Sequence, residues 1–135
     1  IKINFDKFNK NKNLILEINP SNEEPEILYK DEIMYALGNI IQNAIFYSMS
    51  TTKIDLNYQK KNVTIIISDD GNGFPKDIID KLGEPYISKN NQGMGLGIFI
   101  AKNLIENMGG KLNFFNSKDN HAIVEITFDN SILSI

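Results

Sequence analysis

The stretch VTIIISDDGNG, residues 63–73, decides the fold of this chain. Residues 63–68 are almost continuously β-branched and apolar, which predicts a central buried strand. The acidic and glycine residues 69–73 then predict a turn at the end of that strand. Asp69 opens the turn, and a carboxylate in this place can accept a hydrogen bond from the exocyclic amine of adenine while it repels the carbonyl oxygen of guanine. A plain Asp-Gly turn is the alternative, and for this motif alone it is the more common one.

Periodicity predicts strands and helices in alternation on both sides of this stretch. Further strands are predicted at residues 13–19, 26–29, 53–58, 111–115 and 122–128. Helices are predicted at residues 32–48 with Asp31 as N-cap, at 75–82 with Pro75 in the first turn, and at 96–108 with Gly109 as the stop. Residues 83–95 have no period and predict a flexible loop. We therefore expect one α/β unit, with helices on one face of a mixed, mostly antiparallel sheet.

Composition narrows the functional classes. The chain has 135 residues, of which 41% are hydrophobic and 23% are charged, as is typical of one domain with its own core. It has no cysteine, which excludes disulfides and zinc thiolate sites. The net charge is −3 and every basic residue is a lysine, which argues against a nucleic-acid surface.

The sequence contains no membrane-spanning or signal segment. No apolar run approaches the roughly 20 residues that cross a bilayer. The first residues contain neither an initiator methionine nor a signal-peptide core. We therefore expect residues 1–135 to be one domain of a longer protein, without membrane contact of its own. The absence of cysteine fits a location in the reducing cytoplasm.

The first long predicted helix carries Asn39, Asn43 and Tyr47, four residues apart. These side chains form one ridge beside the apolar stripe of the helix. An amide oxygen is a hard, neutral ligand, and Mg²⁺ that already carries phosphate oxygens and waters needs only one or two protein oxygens. The alternative is an ordinary helix whose exposed face holds asparagines, and in an asparagine-rich chain it explains this segment equally well. Asparagine is a poor helix former, however, so two of them at successive turns favour a functional reason.

A third motif, Gly93-Met94-Gly95-Leu96-Gly97, lies where the predicted loop enters a helix. Backbone N–H groups at a helix start, free of side-chain bulk, bind phosphate oxygens. The motif is not Gly-x-Gly-x-x-Gly, because Ile98 occupies the last position, and it is not a Walker A loop. A helix start with a loop hinge is the structural alternative.

The order of these motifs resembles the GHKL ATPase and kinase superfamily, and specifically the catalytic ATP-binding domain of sensor histidine kinases. The N box and the two glycine boxes of that family look like residues 38–44, 69–73 and 93–97. Residues 36–39, 83–86 and 99–102 look most similar to the RegB/PrrB type of redox-responsive kinase. The resemblance implies a Bergerat fold, which is a two-layer α/β sandwich, and it implies ATP and Mg²⁺ as cofactors.

The resemblance also implies roles for single residues. Asn43 would hold Mg²⁺, Asp69 would read adenine, Tyr47 would pack on the base, and Lys89 would reach the terminal phosphate. Where many sensor kinases carry a lysine, this chain has Phe46, which leaves charge neutralisation to the metal and Lys89. The nucleotide-binding residues implied in total are Asn39, Asn43, Tyr47, Asp69, Gly71, Gly73, Lys89, Gly93, Gly95, Leu96 and Gly97.

Asn39 distinguishes a kinase from a hydrolase within this superfamily. Hydrolytic members have a glutamate four residues before the magnesium asparagine, and here that position is Asn39. An amide cannot take a proton from water near neutral pH, so phosphoryl transfer, with Asn39 and Lys89 as catalytic residues, is favoured over hydrolysis. An ATP-hydrolysing GHKL module and a non-catalytic nucleotide-binding module are the alternatives.

The phosphoryl acceptor is expected on another domain. The one histidine, His121, lacks the acidic neighbour that follows a phosphoacceptor in this family, and it is predicted to be a surface turn residue. The resemblance therefore implies a histidine-bearing dimerisation domain of the same protein and a downstream response regulator as partners.

Overall fold

In the computed structural model, which describes residues 2–4, 12–19, 31–58, 62–82 and 94–129, strands and helices alternate along the chain. Its elements are β1 (Lys2–Asn4), β2 (Asn13–Asn19), α1 (Asp31–Tyr47), β3 (Thr51–Tyr58), β4 (Asn62–Asp69), a 3-10 turn (Ile79–Lys81), α2 (Met94–Asn107), β5 (Lys111–Asn116) and β6 (Ala122–Asp129). The strands form one six-stranded sheet in the order β1-β2-β3-β4-β6-β5. Of the described pairs, β2–β3 is parallel and the other four are antiparallel. The predicted mixed, mostly antiparallel sheet is confirmed.

The core lies between one face of the sheet and the two helices. β4 and β6 alternate strictly, so every second residue of each strand is buried against the helices. α1 contributes Ala36, Ile40 and Ala44 to this core. α2 contributes Ile98, Ala101 and Ile105, which follow a helical spacing. The expectation of helices on one face of the sheet is therefore confirmed.

Most predicted elements are confirmed, with ends that differ by at most two residues from the structure. The confirmed strands are those predicted at 13–19, 53–58, 63–68, 111–115 and 122–128, and the confirmed helices are those at 32–48 and 96–108. Gly109 ends the last helix with a φ of 83°, as a glycine stop does. The strand predicted at 26–29 and residues 83–93 of the predicted loop lie outside the described residues.

Three predictions were wrong in detail. The helix predicted at 75–82 is only the 3-10 turn, which ends where Leu82 adopts an extended backbone. α2 begins at Met94, so the end of the predicted loop is helical. Asp31, predicted as an N-cap, is itself helical. The strand β1 was missed, because three residues are too few to produce a period.

Asp70, at the end of β4, fastens the connection between α1 and β3. Its Oδ1 accepts hydrogen bonds from the N–H groups of Met49, Ser50 and Thr51 at 2.8, 2.9 and 3.1 Å. Its Oδ2 accepts a bond from the Ser50 hydroxyl at 2.6 Å. Partial burial opposes the charge on Asp70, but these donors outweigh it and lower its pKa to about 2. One charged side chain thus satisfies a whole turn of backbone donors.

Lys12 also binds the end of α1. The last turn of α1 has no basic residue of its own. The Nζ of Lys12 donates instead to the carbonyl oxygens of Ile45 and Phe46 at 2.8 and 3.1 Å. A cation at a helix C-terminus satisfies unpaired carbonyls and favours the helix dipole. The end of α1 is therefore held in place relative to β2 and β4.

We expect the Asp70→Asn substitution to lower the free energy of unfolding by about 1 to 2 kcal/mol at pH 7. The folded pKa of Asp70 lies below its unfolded value of about 3.9, so its contribution is present above that pH and is lost as the pH falls towards about 2. Urea unfolding of both proteins across this range measures the difference, with the exposed Asp77→Asn variant as control. Equal stability of Asp70→Asn and the unsubstituted chain at pH 7 would contradict the assignment.

Candidate functional site

A recess opens between α1 and the sheet at the end of β4. Its empty space is about 360 Å³, part of which is open to solvent. Most of its wall is apolar, and its polar groups come from α1 and β4. The lining residues are Ile40, Asn43, Ala44, Tyr47, Ile67, Asp69, Gly73, Phe74, Ala122 and Val124. The structure therefore brings together four residues that the sequence singled out, Asn43, Tyr47, Asp69 and Gly73.

Asp69 is the carboxylate of this recess. Its residue surface is only 8% exposed, and its Oδ1 accepts a hydrogen bond from the Gly71 N–H at 2.8 Å. None of the described residues donates a hydrogen bond to its Oδ2. Burial raises the pKa of Asp69, and the bond from Gly71 offsets part of that effect. The Oδ2 of this largely buried side chain is therefore suited to accept a hydrogen bond from a ligand N–H group.

Asn39 and Asn43 occupy successive turns of α1, and both are half-buried. The Nδ2 of Asn39 is buried and has no hydrogen-bond partner in the part of the chain that the structure describes. Gly97 of α2 lies opposite, and a Cβ built on it would be 4.0 Å from the Asn39 Cβ. Buried amide donors are nearly always paired, so the unpaired Nδ2 is suited to an acceptor that a ligand brings.

Aromatic side chains end α1 beside the recess. Tyr47 is half-buried and lines it, and burial raises the pKa of its hydroxyl, so the phenol stays neutral. A neutral aromatic ring against an apolar wall is suited to contact with a flat heterocycle. Phe46 packs edge-on against Tyr47 with ring centroids 4.9 Å apart, but it is 64% exposed and does not line the recess.

Packing explains the two glycines that follow Asp69. A Cβ on Gly71 would overlap the carbonyl oxygen of Tyr47 and would lie 2.9 Å from the Asp69 Oδ1. Gly73 has a φ of 81°, and a Cβ there would overlap the carbonyl oxygen of Asn120. Gly73 lines the recess, whereas Gly71 does not. The glycine pattern read from the sequence thus has a structural cause in addition to the predicted ligand contact.

The remaining predicted site residues divide into two groups. Gly95, Leu96 and Gly97 lie in the first turn of α2, and Gly97 faces Asn39 across the helix pair. Lys89 and Gly93 lie outside the described residues. The described part of the second glycine motif is therefore at a helix start, as the sequence predicted.

The prediction for His121 is wrong. His121 was predicted to be a surface turn residue, but it is half-buried and its Nδ1 lies 2.7 Å from the carbonyl oxygen of Gly71. The two residues are 50 positions apart, and no sequence pattern links a histidine after one turn to a glycine in another. Only the packing of the β5–β6 connection on the glycine turn brings them together.

The described residues contain no group of three or more His, Cys, Asp or Glu side chains that would hold a metal ion by themselves. A metal in this recess would therefore take most of its oxygens from a ligand and water, with Asn43 as a neutral protein oxygen. In the same part of the chain, no helix has the length and apolar character needed to span a membrane.

Comparison with known proteins gives concordant results. The family described as "Histidine kinase-, DNA gyrase B-, and HSP90-like ATPase" matches residues 29–132. The sensor histidine kinase RegB of Cereibacter sphaeroides is 38% identical over 107 residues, which are 71% of this chain and 23% of RegB. Sporulation kinase A of Bacillus subtilis is 29% identical over 102 residues, which are 73% of this chain and 17% of that kinase. The predicted similarity to RegB-type kinases is confirmed, and the chain spans less than a quarter of the length of either relative.

Solved structures agree with the fold. The mycobacterial sensor histidine kinase MprB superposes with a TM-score of 0.73 at 18% identity, over 92% of this chain and 85% of that one. The catalytic domain of the histidine kinase ThkA superposes with the same TM-score at 24% identity, over 87% of this chain and 79% of that one. At these identities the likeness concerns the fold, and it confirms the predicted two-layer α/β architecture.

We expect Gly71→Ala to destabilise the chain by about 2 kcal/mol or more, because the new methyl group has to displace the backbone of α1. Gly38→Ala is the matched control, since nothing lies within 4 Å of a Cβ there and alanine is the better helix former by up to about 1 kcal/mol. Thermal or urea unfolding of both variants measures the contrast. Equal stability of the two variants would show that the turn is not packed on α1 as described.

Proposed function

Since the chain belongs to the family of histidine kinase-, DNA gyrase B- and HSP90-like ATPases, we propose that it binds Mg-ATP and donates the γ-phosphoryl group to a histidine of a separate dimerisation domain. The single observation that carries this proposal is Asp69, a buried carboxylate in an apolar recess, whose Oδ2 receives no hydrogen bond from the described residues. An acceptor with no donor among the described residues, at the wall of an apolar recess, is suited to an N–H donor from a ligand.

Adenine supplies that donor. Its 6-amino group donates to Asp69, whereas guanine presents a carbonyl oxygen in the same place and would leave two acceptors facing each other. The apolar walls from Ile40, Ala44 and Val124, together with the Tyr47 ring, remove the faces of the base from water. The recess thereby supports recognition of ATP over GTP.

The phosphates and the metal occupy the side towards α2 in this proposal. Asn43 supplies an amide oxygen to Mg²⁺, whose other ligands are phosphate oxygens and waters. When bound, the metal neutralises charge on the triphosphate. The unpaired Nδ2 of Asn39 and the first turn of α2, with Gly95, Leu96 and Gly97, supply donors to phosphate oxygens. Gly71, Gly73, Gly93 and Lys89 complete the proposed nucleotide-binding set, with Lys89 at the terminal phosphate.

Asn39 favours transfer over hydrolysis. Its amide has no basic lone pair that could take a proton from an attacking water. An imidazole acceptor brings its own lone pair, so it needs positioning and charge neutralisation more than a base. A module that binds no nucleotide would have no need for an unpaired buried amide beside a glycine-started helix, so the unpaired Nδ2 of Asn39 counts against a purely structural role.

The partners follow from the same proposal. His121 is the only histidine of the chain, and its Nδ1 is engaged with Gly71. The acceptor histidine is therefore proposed on the dimerisation domain of the same protein, with a response regulator as the next recipient. Both steps belong in the cytoplasm, where ATP is available. The relative RegB is named as a sensor histidine kinase, which supports a two-component role.

We expect calorimetry to detect binding of Mg-ATP, with Mg-GTP at least about tenfold weaker. Asp69→Asn should weaken Mg-ATP binding by about 10- to 100-fold, because it replaces a charged acceptor with an amide that also presents a donor. Glu125→Gln, on the opposite face of the sheet, is the matched control and should bind as the unsubstituted chain does. Absence of heat with Mg-ATP, or equal affinity for ATP and GTP, would refute the nucleotide assignment.

Asn39→Glu should raise the rate of ATP hydrolysis by about tenfold or more, since it introduces a general base near the γ-phosphoryl group. Phosphate release is measured, with Mg-ATP affinity determined in parallel. Asn39→Gln keeps the amide and serves as control, with no increase expected. An unchanged hydrolysis rate in Asn39→Glu with intact ATP binding would contradict the role given to Asn39.

A further inference from the structure

Residues 116–121, at the end of β5 and in the turn before β6, form hydrogen bonds with the glycine turn that follows Asp69. The Asn116 side chain exchanges two hydrogen bonds with the backbone of Phe74, accepting from its N–H at 2.8 Å and donating to its carbonyl oxygen at 2.9 Å. Asn120 donates from Nδ2 to the carbonyl oxygen of Asn72 at 3.1 Å. Side chains at the end of β5 and in the turn after it thus supply hydrogen bonds to the backbone that follows β4.

His121 contacts Gly71, the residue whose N–H group bonds to Asp69. A carbonyl oxygen only accepts, so the Nδ1 that lies 2.7 Å from the Gly71 oxygen carries the proton. The N–H of the same glycine donates to the Asp69 Oδ1. The imidazole and the carboxylate are therefore linked through one residue. Burial raises the pKa of Asp69, and His121 is among the groups that counteract it, which is consistent with their proximity.

The position of the imidazole is fixed by its own turn. The His121 N–H donates to the Ser117 hydroxyl at 3.1 Å, and its carbonyl oxygen accepts from the Ser117 N–H at 2.8 Å. Asn120, just before it, has a left-handed backbone with a φ of 63°. The half-buried ring therefore presents Nδ1 to Gly71 from a closed turn.

We propose that His121 is a positioning residue for purine recognition: by holding the Gly71 carbonyl, it orients Asp69 so that Oδ2 is directed to the 6-amino group. This inference rests on the proposed function of Asp69 and adds a specificity determinant from the connection between β5 and β6. If His121 only stabilised the fold, its loss would lower the affinity for every nucleotide alike. If it orients Asp69, its loss lowers the affinity only for ligands that carry the 6-amino group.

The test compares Mg-ATP with the magnesium complex of purine riboside triphosphate, which lacks only the 6-amino group. His121→Ala should lower the affinity for Mg-ATP about five- to tenfold and the affinity for the deamino ligand less than about twofold. His121→Asn places an amide donor near the Nδ1 position and should restore discrimination, whereas His121→Gln places it near Nε2 and should not. Lys118→Ala, exposed in the same turn, is the control.

Equal losses for the two ligands, or no loss for either, would overturn the inference. If His121→Ala does not fold, the contrast between His121→Asn and His121→Gln decides the question, and identical behaviour of these two variants would count against it. The binding of Mg-ATP to the unsubstituted chain separates the two proposals. Its failure refutes the proposed function and the inference together, whereas normal binding with indifferent His121 variants refutes the inference alone.

Discussion

The hydrogen bonds of the Asp70 carboxylate hold the α1–β3 connection against the end of β4, and the geometry of the recess depends on them. They fix the end of α1, from which Tyr47 lines the recess and its carbonyl oxygen packs on Gly71. The neighbouring Asp69 points to the other side of the strand and stays in the apolar recess with one described donor. Two adjacent aspartates thus have opposite pKa shifts, because one is surrounded by donors and the other is desolvated.

The glycine turn after these aspartates lies between two elements that are distant in sequence. Gly71 packs against the end of α1, and Gly73 packs against the turn between β5 and β6. Each contact excludes a side chain, so the spacing of the glycines is explained by packing even without a ligand. The same packing leaves the Asp69 Oδ2 without a described donor. The stability of the fold and the proposed ligand recognition therefore both depend on Asp69, Gly71 and Gly73.

Much of the fold could be predicted because its elements carry clear periods. The apolar run of β4 and the alternation in β6 specify strands, and the helical stripes of α1 and α2 specify which faces are buried. The predicted helix at 75–82 depends on Pro75, which favours a helix start, but too few residues follow before the backbone becomes extended at Leu82. Signals that depend on a few residues are weaker than periods that extend over several turns.

The sequence by itself determined the order of strands and helices, the turn at the end of β4, and a set of polar residues suited to a nucleotide, because these depend on residues close together in the chain. Tertiary structure alone decided that Asn39 faces Gly97, that Lys12 and Asp70 fix the end of α1, and that His121 reaches Gly71. These contacts join residues tens of positions apart. Their formation depends on how the whole sheet packs against the helices, and no local pattern records that packing.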